Sequence, residues 1–237
     1  MGEFALIRIL GLAAFSAALV LAIGQPARAA DDELIKAQAG AWLVAPENGA
    51  KGCRLTFETR AISGGYAING ADACATPLPA LSKASAWNLA DDGSLTIVDA
   101  AAKTLIRFQQ EEGSPWESDA GDPTWLLPAL DDVDHVPTVA SLAGAWRIQR
   151  PDGKAVCDIT LTTDKDPDGT AKMSPGGDCA SEVGDLKLSL WATEGFGLVM
   201  LGNDGSSLSF DMKPDGTFQK SDEEEGEPLL LVRKQGG

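Results

Sequence analysis

Ala39-Gly40-Ala41-Trp42 decides the fold, because the same four residues return as Ala143-Gly144-Ala145-Trp146, 104 residues later. The landmarks around this motif recur with nearly the same spacing, at offsets of 102 to 105 residues. The matched pairs are Cys53 with Cys157, Cys74 with Cys179, Trp87 with Trp191, Phe108 with Phe210, and Trp116 with Phe218. A period of this length predicts two tandem copies of one module of about 100 residues rather than a solenoid.

A regular alternation of apolar and polar residues follows the repeated motif in each copy. Every second residue is apolar in residues 53–57 and 157–161, which is typical of a strand with one buried face. Turn signals such as Asp91-Asp92-Gly93 separate eight strand candidates per copy. These candidates centre on Trp42, Leu55, Ala67, Trp87, Ile97, Ile106, Trp116 and Leu126, and then on Trp146, Ile159, Lys172, Leu190, Val199, Phe210, Phe218 and Leu230.

Eight short strands joined by tight turns predict an up-and-down antiparallel barrel. The chain is therefore predicted to be all-β, with two tandem eight-stranded, lipocalin-like barrels. Closing each barrel suits a small domain, because closure leaves no unpaired strand edge. A β-sandwich is the alternative. Only residues 32–38 are predicted to be helical, as a turn or two before the first strand.

The N-terminal residues have the pattern of an export signal. Arg8 precedes an apolar run over residues 9–23, and Ala27-Arg28-Ala29 follows as a small-residue cleavage pattern. These features predict a secretory signal peptide, a mature chain that begins at Ala30, and a periplasmic or secreted bacterial protein. A membrane anchor is the alternative, but it needs about 20 apolar residues. No cysteine precedes Cys53, so no lipid anchor is expected near the cleavage site.

The repeat and the signal together divide the chain into four parts. Residues 1–29 are predicted to be the signal peptide, residues 30–127 the first barrel, residues 128–141 a linker, and residues 142–237 the second barrel. The formal net charge of the whole chain is −16, and removal of the signal peptide changes it to −17. A chain this acidic is repelled by nucleic acid and by anionic membranes, so neither is expected as a partner.

The chain has four cysteines, two per copy at matched places. In an oxidising compartment this arrangement predicts one disulfide within each barrel, Cys53–Cys74 and Cys157–Cys179. Each bridge closes a loop that is worth roughly 3 kcal/mol on the chain-entropy model. The rival interpretation is a zinc site, but no cysteines have Cys-x-x-Cys spacing and the chain has one histidine.

Residue patterns that carry chemistry are few. His135 lies in the predicted linker and is interpreted as a spacer residue, since a catalytic histidine needs a rigid setting and an orienting partner. Asp164-x-Asp166-x-Asp168-Gly169 begins like a calcium loop, but Pro175 stands where a bidentate Glu is required. An acidic hairpin turn is therefore predicted there. Neither an enzyme, a metal site nor a cofactor is predicted.

The six tryptophans are interpreted as core residues and barrel plugs. An eight-stranded barrel interior is just large enough for side chains or for one small ligand. A lipocalin-like binder of a small apolar ligand therefore stays as an alternative.

An ordered set of residues in each copy resembles a known family. In the first copy the set is Gly40-x-Trp42, Cys53-Arg54-Leu55, Tyr66, Cys74, Trp87 and Asp92-Gly93-Ser94-Leu95, and in the second it is Gly144-x-Trp146, Cys157-Asp158-Ile159, Cys179, Trp191 and Gly197-Leu198. Both resemble the bacterial metalloprotease inhibitor (Inh) family, the inhibitors of serralysin-type zinc proteases such as alkaline proteinase. The superfamily also includes outer-membrane lipoproteins.

The resemblance implies an eight-stranded barrel with one disulfide and a protease as the partner. It also implies inhibition by the mature N-terminal segment, whose free α-amino group approaches the zinc of the protease. Carried over by position, the protease-binding residues are Ala30, Asp31, Asp32, Glu33 and Leu34. This leader, residues 30–34, departs from the family pattern because it is acidic. The second copy has no free N-terminus. The alternative function is a non-inhibitory envelope protein that binds a protein partner or a small apolar ligand.

Overall fold

The computed structural model describes residues 27–111, 114–119, 121–222 and 224–234, with the backbone alone for residues 27–31. The predicted signal peptide, residues 1–29, lies outside the described residues except for its last three. Those three belong to the first helix, α1, which spans Ala27–Gln38.

The first barrel is closed and antiparallel. Its strands pair in sequence order, and β8 returns to pair with β1. The strands are β1 (Gly40–Pro46), β2 (Cys53–Ile62), β3 (Gly65–Asn69), β4 (Ala84–Leu89), β5 (Leu95–Asp99), β6 (Thr104–Gln109), β7 (Trp116–Ser118) and β8 (Thr124–Pro128). Two short 3-10 helices, Ala71–Cys74 and Pro79–Lys83, connect β3 to β4.

The second barrel repeats this topology after a short helix, α2 (Val139–Leu142), and contains one more, α3 (Ser181–Gly184). Its strands are β9 (Gly144–Gln149), β10 (Ala155–Lys165), β11 (Ala171–Pro175), β12 (Leu188–Glu194), β13 (Gly197–Gly202), β14 (Ser207–Met212), β15 (Phe218–Lys220) and β16 (Leu230–Arg233). All sixteen predicted strand centres fall within these strands. The predicted pair of up-and-down barrels is confirmed, and the β-sandwich is wrong.

Side chains fill both barrel interiors, because each strand turns alternate residues inward. The strand β2 shows the pattern, with Cys53, Leu55 and Phe57 buried between more exposed neighbours. The largest fully buried side chains include Phe57, Trp87, Ile97, Phe108 and Leu126 in the first barrel and Ile148, Trp191, Phe210 and Phe218 in the second. Interiors packed with aromatic rings do not favour the small-ligand alternative.

Both predicted disulfides are present. Cys53 at the start of β2 is bonded to Cys74, at a sequence separation of 21 residues. Cys157 in β10 is bonded to Cys179, at a separation of 22 residues. Each bridge therefore ties the second strand of its barrel to the segment that leads into the fourth.

The acidic run in the second copy forms the hairpin turn between β10 and β11, as predicted. The amide of Asp166 donates a hydrogen bond to the carbonyl oxygen of Thr170 at 2.9 Å. The carboxylate of Asp166 accepts hydrogen bonds from the amides of Asp168 and Thr170. These contacts satisfy the backbone of the turn.

Candidate functional site

The leader lies in α1, which begins earlier than the helical turn predicted from the sequence. Asp32, Glu33 and Leu34 are exposed. Leu34 is 56% exposed, more than any other large hydrophobic side chain that the structure describes. The next residue, Ile35, is 7% exposed and packs in the core of the first barrel. The helix is thus anchored from Ile35 onward, whereas the residues just before it face solvent.

The C-terminal end of α1 is held by the repeated motif. The indole Nε1 of Trp42 donates a hydrogen bond to the carbonyl oxygen of Gln38 at 2.8 Å, and the amide of Ala39 donates to the carbonyl oxygen of Ile35 at 3.1 Å. Gly40 has a φ of 140°, a conformation that residues with a Cβ rarely adopt. Ala-Gly-Ala-Trp therefore forms a junction between helix and strand.

The second copy contains the same junction. Trp146 Nε1 donates a hydrogen bond to the carbonyl oxygen of Leu142, the last residue of α2, at 2.8 Å. Gly144 has a φ of 138°. The repeat that was visible in the sequence thus corresponds to a repeated hydrogen bond and a repeated backbone turn.

The two helices differ at their N-terminal ends. Thr138 caps α2, since its hydroxyl oxygen accepts a hydrogen bond from the amide of Ser141 at 3.2 Å, and the Ser141 hydroxyl accepts one from the amide of Thr138 at 2.9 Å. This reciprocal pair is a capping box, which marks the N-terminal start of a helix. By the offset of the repeat, Thr138 corresponds to Leu34. The helix of the second copy therefore begins where that of the first continues into the leader.

The segment in front of α2 is fastened to the first barrel. The guanidinium of Arg54 donates hydrogen bonds to the carbonyl oxygens of Leu130 and Val133. The amide of Gly52 donates to the carbonyl oxygen of Asp134 at 2.7 Å, and Lys51 Nζ lies 2.9 Å from the Asp134 carboxylate. The second copy therefore has a tethered entry segment rather than a free one.

His135 belongs to this fastened segment. Its side chain is 57% exposed, and its Nδ1 lies 2.9 Å from the carboxylate of Asp134. Hydrogen bonds from His135 and Lys51 lower the pKa of Asp134 to about 2. The histidine thus makes a local surface contact, in keeping with its interpretation as a spacer residue.

An apolar cluster covers the outer face of β1 and β8. Its members come from the first barrel, from the linker and from the turn between β12 and β13 of the second barrel. The buried members are Leu43, Ala45, Leu127 and Val136, and Trp125 and Phe196 pack against them. This cluster explains why β1 has four successive buried residues: alternate ones face the interior, and the others face the linker.

The same face of the second barrel is ionic. Arg147 lies opposite Asp158 in the strand ladder, as Leu43 lies opposite Arg54 in the first copy. Arg147 Nε is 2.8 Å and Lys234 Nζ is 2.7 Å from the Asp158 carboxylate. Hydrogen bonds from Arg147 and Lys234 hold the pKa of Asp158 well below its usual range. This face of the second barrel is thus polar and partly exposed.

An open cleft of about 490 Å³ lies beside the junction of the first copy. We call it the junction cleft; residues 37–42, Trp116 and Pro128 are among those that line it. Gln38 Oε1 is buried and has no hydrogen-bond partner among the described residues. A buried acceptor without a donor costs about 1–3 kcal/mol, and Gln38 is among the residues that line the cleft.

In the second copy a side chain occupies the corresponding place. Arg233 lies opposite Trp146 in the ladder, the position that Pro128 takes in the first copy. Its guanidinium donates hydrogen bonds to the carbonyl oxygens of Ser141 at 2.7 Å and Ala143 at 3.2 Å, and lies 4.6 Å from the centre of the Trp146 ring. Sequence reasoning missed this contact, because the equivalence of Arg233 and Pro128 follows from the register between the first and last strands of each barrel.

The described residues contain no group of three or more His, Cys, Asp or Glu side chains that could hold a metal ion. None of the helices in the same part of the chain is long and apolar enough to cross a membrane.

Comparison with known families agrees with the duplicated architecture. The family model described as protease inhibitor Inh matches the chain twice, over residues 34–126 and 136–233. A search of curated proteins found no match. Each family match covers one closed barrel, and the two together cover most of the chain. The family is one of inhibitors, which points to a non-enzymatic protein with a protease as its partner. The chain belongs to the protease inhibitor Inh family, in two tandem copies.

Proposed function

We propose that the protein inhibits a secreted zinc metalloprotease of the serralysin type by inserting its leader, residues 30–34, into the active-site cleft of the protease. The observation that carries this proposal is the exposure of residues 32–34 of α1, where Leu34 faces solvent next to the buried anchor Ile35. An exposed large hydrophobic residue beside an anchored one is suited to burial against a partner.

The α-amino group of Ala30 is the proposed ligand of the protease's zinc. A neutral amine is a suitable nitrogen ligand, and the pKa of an α-amino group, about 8, leaves a usable neutral fraction near neutral pH. Cleavage of the signal peptide creates this group at a defined position. The carboxylates of Asp31, Asp32 and Glu33 require basic groups on the protease, since unpaired charges are costly to bury.

The leader can change conformation at low cost. The mature part of α1, residues 30–38, is shorter than the 12–15 residues or so that an isolated helix needs to be stable. Its stability comes from Ile35 and from the Trp42 contact at its C-terminal end. The leader can therefore unwind into an extended substrate-like strand while the anchor stays in place.

The proposed location is the periplasm or the extracellular space, after cleavage between Ala29 and Ala30. Two disulfides fit an oxidising compartment. The proposed division of labour follows from the two entry segments: the first copy carries the inhibitory leader, and the second, whose entry is tethered, stabilises the first through the apolar cluster at Phe196.

The experiment that tests this proposal is an inhibition titration of the chain from Ala30 to Gly237 against serralysin-type and serine proteases. A second sample lacks residues 30–34, and a matched control keeps them but carries one extra glycine before Ala30, which displaces the amine. We expect the unmodified chain to inhibit a zinc protease tightly. This inhibition should be lost when residues 30–34 are removed and strongly weakened when the extra glycine precedes Ala30. Inhibition that survives truncation contradicts the leader mechanism. If no protease is inhibited, the alternative is favoured, an envelope protein that binds another partner.

A further inference from the structure

The junction cleft combines a buried acceptor, an aromatic ring and open space. We propose that it binds the guanidinium group of an arginine on the surface of the inhibited protease. The identity of the protein that carries this arginine rests on the proposed function. The preference of the cleft for a guanidinium is independent of that function, because it follows from the arginine site in the second copy of the same module.

The second copy supplies the template for the site. There, Arg233 donates hydrogen bonds to the carbonyl oxygens of Ser141 and Ala143. By the offset of the repeat, these two residues correspond to Ala37 and Ala39. Both line the junction cleft. The first copy therefore has the matching pair of backbone groups, and none of the described residues that line its cleft is an arginine.

Space for the guanidinium is present in the first copy. A Cβ on Gly144 would come within 3.1 Å of Nη1 of Arg233, whereas a Cβ on Gly40 would meet no atom within 4 Å. The strand residue that could fill the space is Pro128, which has no donor and no long side chain. The cleft thus corresponds to the Arg233 site of the second copy, with Pro128 in place of the arginine.

The first copy also has an acceptor that the second lacks. Gln38 Oε1 is buried without a partner, whereas the corresponding residue of the second copy is the apolar Leu142. In the second copy the ring of Trp146 contacts the guanidinium of Arg233, and Trp42 lines the cleft in the first. A planar guanidinium can donate several hydrogen bonds in its plane while it stacks on an aromatic face. A lysine ammonium matches this arrangement less well.

The position of the cleft fits a protease that holds the leader. Leu34 and Gln38 are four residues apart on α1, which corresponds to a rise of about 6 Å along the helix. One protein surface can therefore reach both. The formal net charge of −16 also attracts a basic partner surface. The arginine would act as a second anchor, outside the active-site cleft of the protease.

The first test uses argininamide as the probe and the chain from Ala30 to Gly237. The signal of the Trp42 indole N–H is followed by NMR as argininamide is added, with lysinamide and citrullinamide as comparison ligands. We expect a saturable shift with argininamide and a much weaker one with the other two. In Pro128→Arg the new side chain occupies the cleft from within, and the shift is expected to disappear because a tethered group has a high effective concentration.

The Arg233→Ala variant is the converse test. It empties the site in the second copy, and argininamide is then expected to shift the Trp146 indole signal, which it leaves unchanged in the wild-type chain. If argininamide shifts Trp146 in this variant but never shifts Trp42 in the wild type, the proposal for the first copy is wrong. If argininamide shifts neither signal, the proposal is also wrong.

The second test measures inhibition of a protease that the wild-type chain inhibits. Pro128→Arg is expected to raise the inhibition constant about tenfold or more, the effect of losing one charge-assisted contact. The matched control is Ala101→Arg, which adds the same charge at an exposed turn residue that does not line the cleft. It is expected to inhibit like the wild type. Equal inhibition by all three proteins contradicts the docking role.

The two proposals can fail separately. If the chain inhibits no protease but binds argininamide at Trp42, the proposed function is wrong and the guanidinium site stands. If truncation of the leader abolishes inhibition while argininamide gives no shift, the proposed function stands and the guanidinium site is wrong.

Discussion

In the first copy the junction between helix and barrel leaves an open cleft beside Trp42, whereas in the second copy Arg233 fills the same place beside Trp146. The helix in front of the first barrel continues into the leader, and the helix in front of the second stops at the Thr138 cap. The same junction is therefore open in one copy and filled in the other. The second copy closes it with its own residues, and the first leaves it accessible.

The outer faces of the two barrels show the reverse difference: the face of the first copy is covered, and the face of the second copy is partly exposed. On the first barrel, Leu43 is buried under the linker and the second copy. On the second barrel, the equivalent Arg147 forms a partly exposed ion pair with Asp158. The outer face of the first barrel therefore packs against the linker and the second copy, and its junction stays accessible. This arrangement suits a molecule in which the first copy binds the partner and the second copy stabilises the first.

Substitutions at equivalent positions on the two outer faces are expected to give the largest difference in stability between the copies. Leu43→Ala should lower the free energy of unfolding by about 2–5 kcal/mol, since Leu43 is fully buried. Arg147→Ala should lower it far less, because its ion pair is partly exposed and screened by solvent. Urea unfolding of both variants measures the difference. Equal losses would mean that the outer faces do not differ as described.

Removal of the disulfides should affect the two copies alike. The loops span 21 and 22 residues, so the chain-entropy model gives about 3 kcal/mol for each. The variants are Cys53→Ala with Cys74→Ala, and Cys157→Ala with Cys179→Ala. Chemical denaturation under oxidising conditions provides the measurement. A clearly larger loss in one copy would show that its bridge does more than close a loop.

The helix starts offer a smaller contrast. Thr138→Ala removes the cap of α2 and should cost about 1 kcal/mol. Leu34→Ala, at the corresponding exposed position, should change stability by less than about 0.5 kcal/mol. It should nevertheless weaken protease inhibition, because the proposed function buries Leu34 in the complex. Thermal unfolding and inhibition assays of both variants separate these effects, and a Leu34→Ala protein that inhibits normally would remove this residue from the binding segment.

The smallest expected effect concerns pH. The lowered pKa of Asp158 means that this carboxylate stabilises the fold above its unfolded pKa of about 3.9, and that the contribution is lost as the pH falls through the lower folded pKa. The equivalent residue of the first copy is Arg54, so the first copy has no carboxylate at this position. Asp158→Asn should therefore reduce the acid sensitivity of unfolding, by less than about 1 kcal/mol because the side chain is 41% exposed. Urea titrations between pH 6 and pH 2 test this, and an unchanged slope would contradict it.

The fold could be predicted from the sequence because its signals are local or repeated. Alternation in β2 and β10, the Gly-Asp turns and the matched cysteines each fix one element, and the duplication lets every signal be read twice. The length of α1 was underestimated, since its first residues resemble the end of a signal peptide rather than the start of a helix.

The site was predictable only in part. The leader stays a prediction from the cleavage pattern. The junction cleft depends on which residue lies opposite Trp42 and Trp146 across the barrel seam. That register joins the first and last strands of each barrel, and the sequence spacing of the strands does not define it. Likewise, Arg54 contacts a segment some 76 residues away, a long-range contact that no local pattern reveals.

The acidic residues of the leader can also stabilise α1, because a helix has an electric dipole along its axis. After cleavage the helix would begin at Ala30, and Asp31, Asp32 and Glu33 would occupy its first turn. Negative side chains are favourable there, because the N-terminal end of a helix carries about half a positive charge. The carboxylates therefore stabilise the free leader as a helix, and in the proposed complex basic groups of the protease would have to replace the favourable interaction with the helix end.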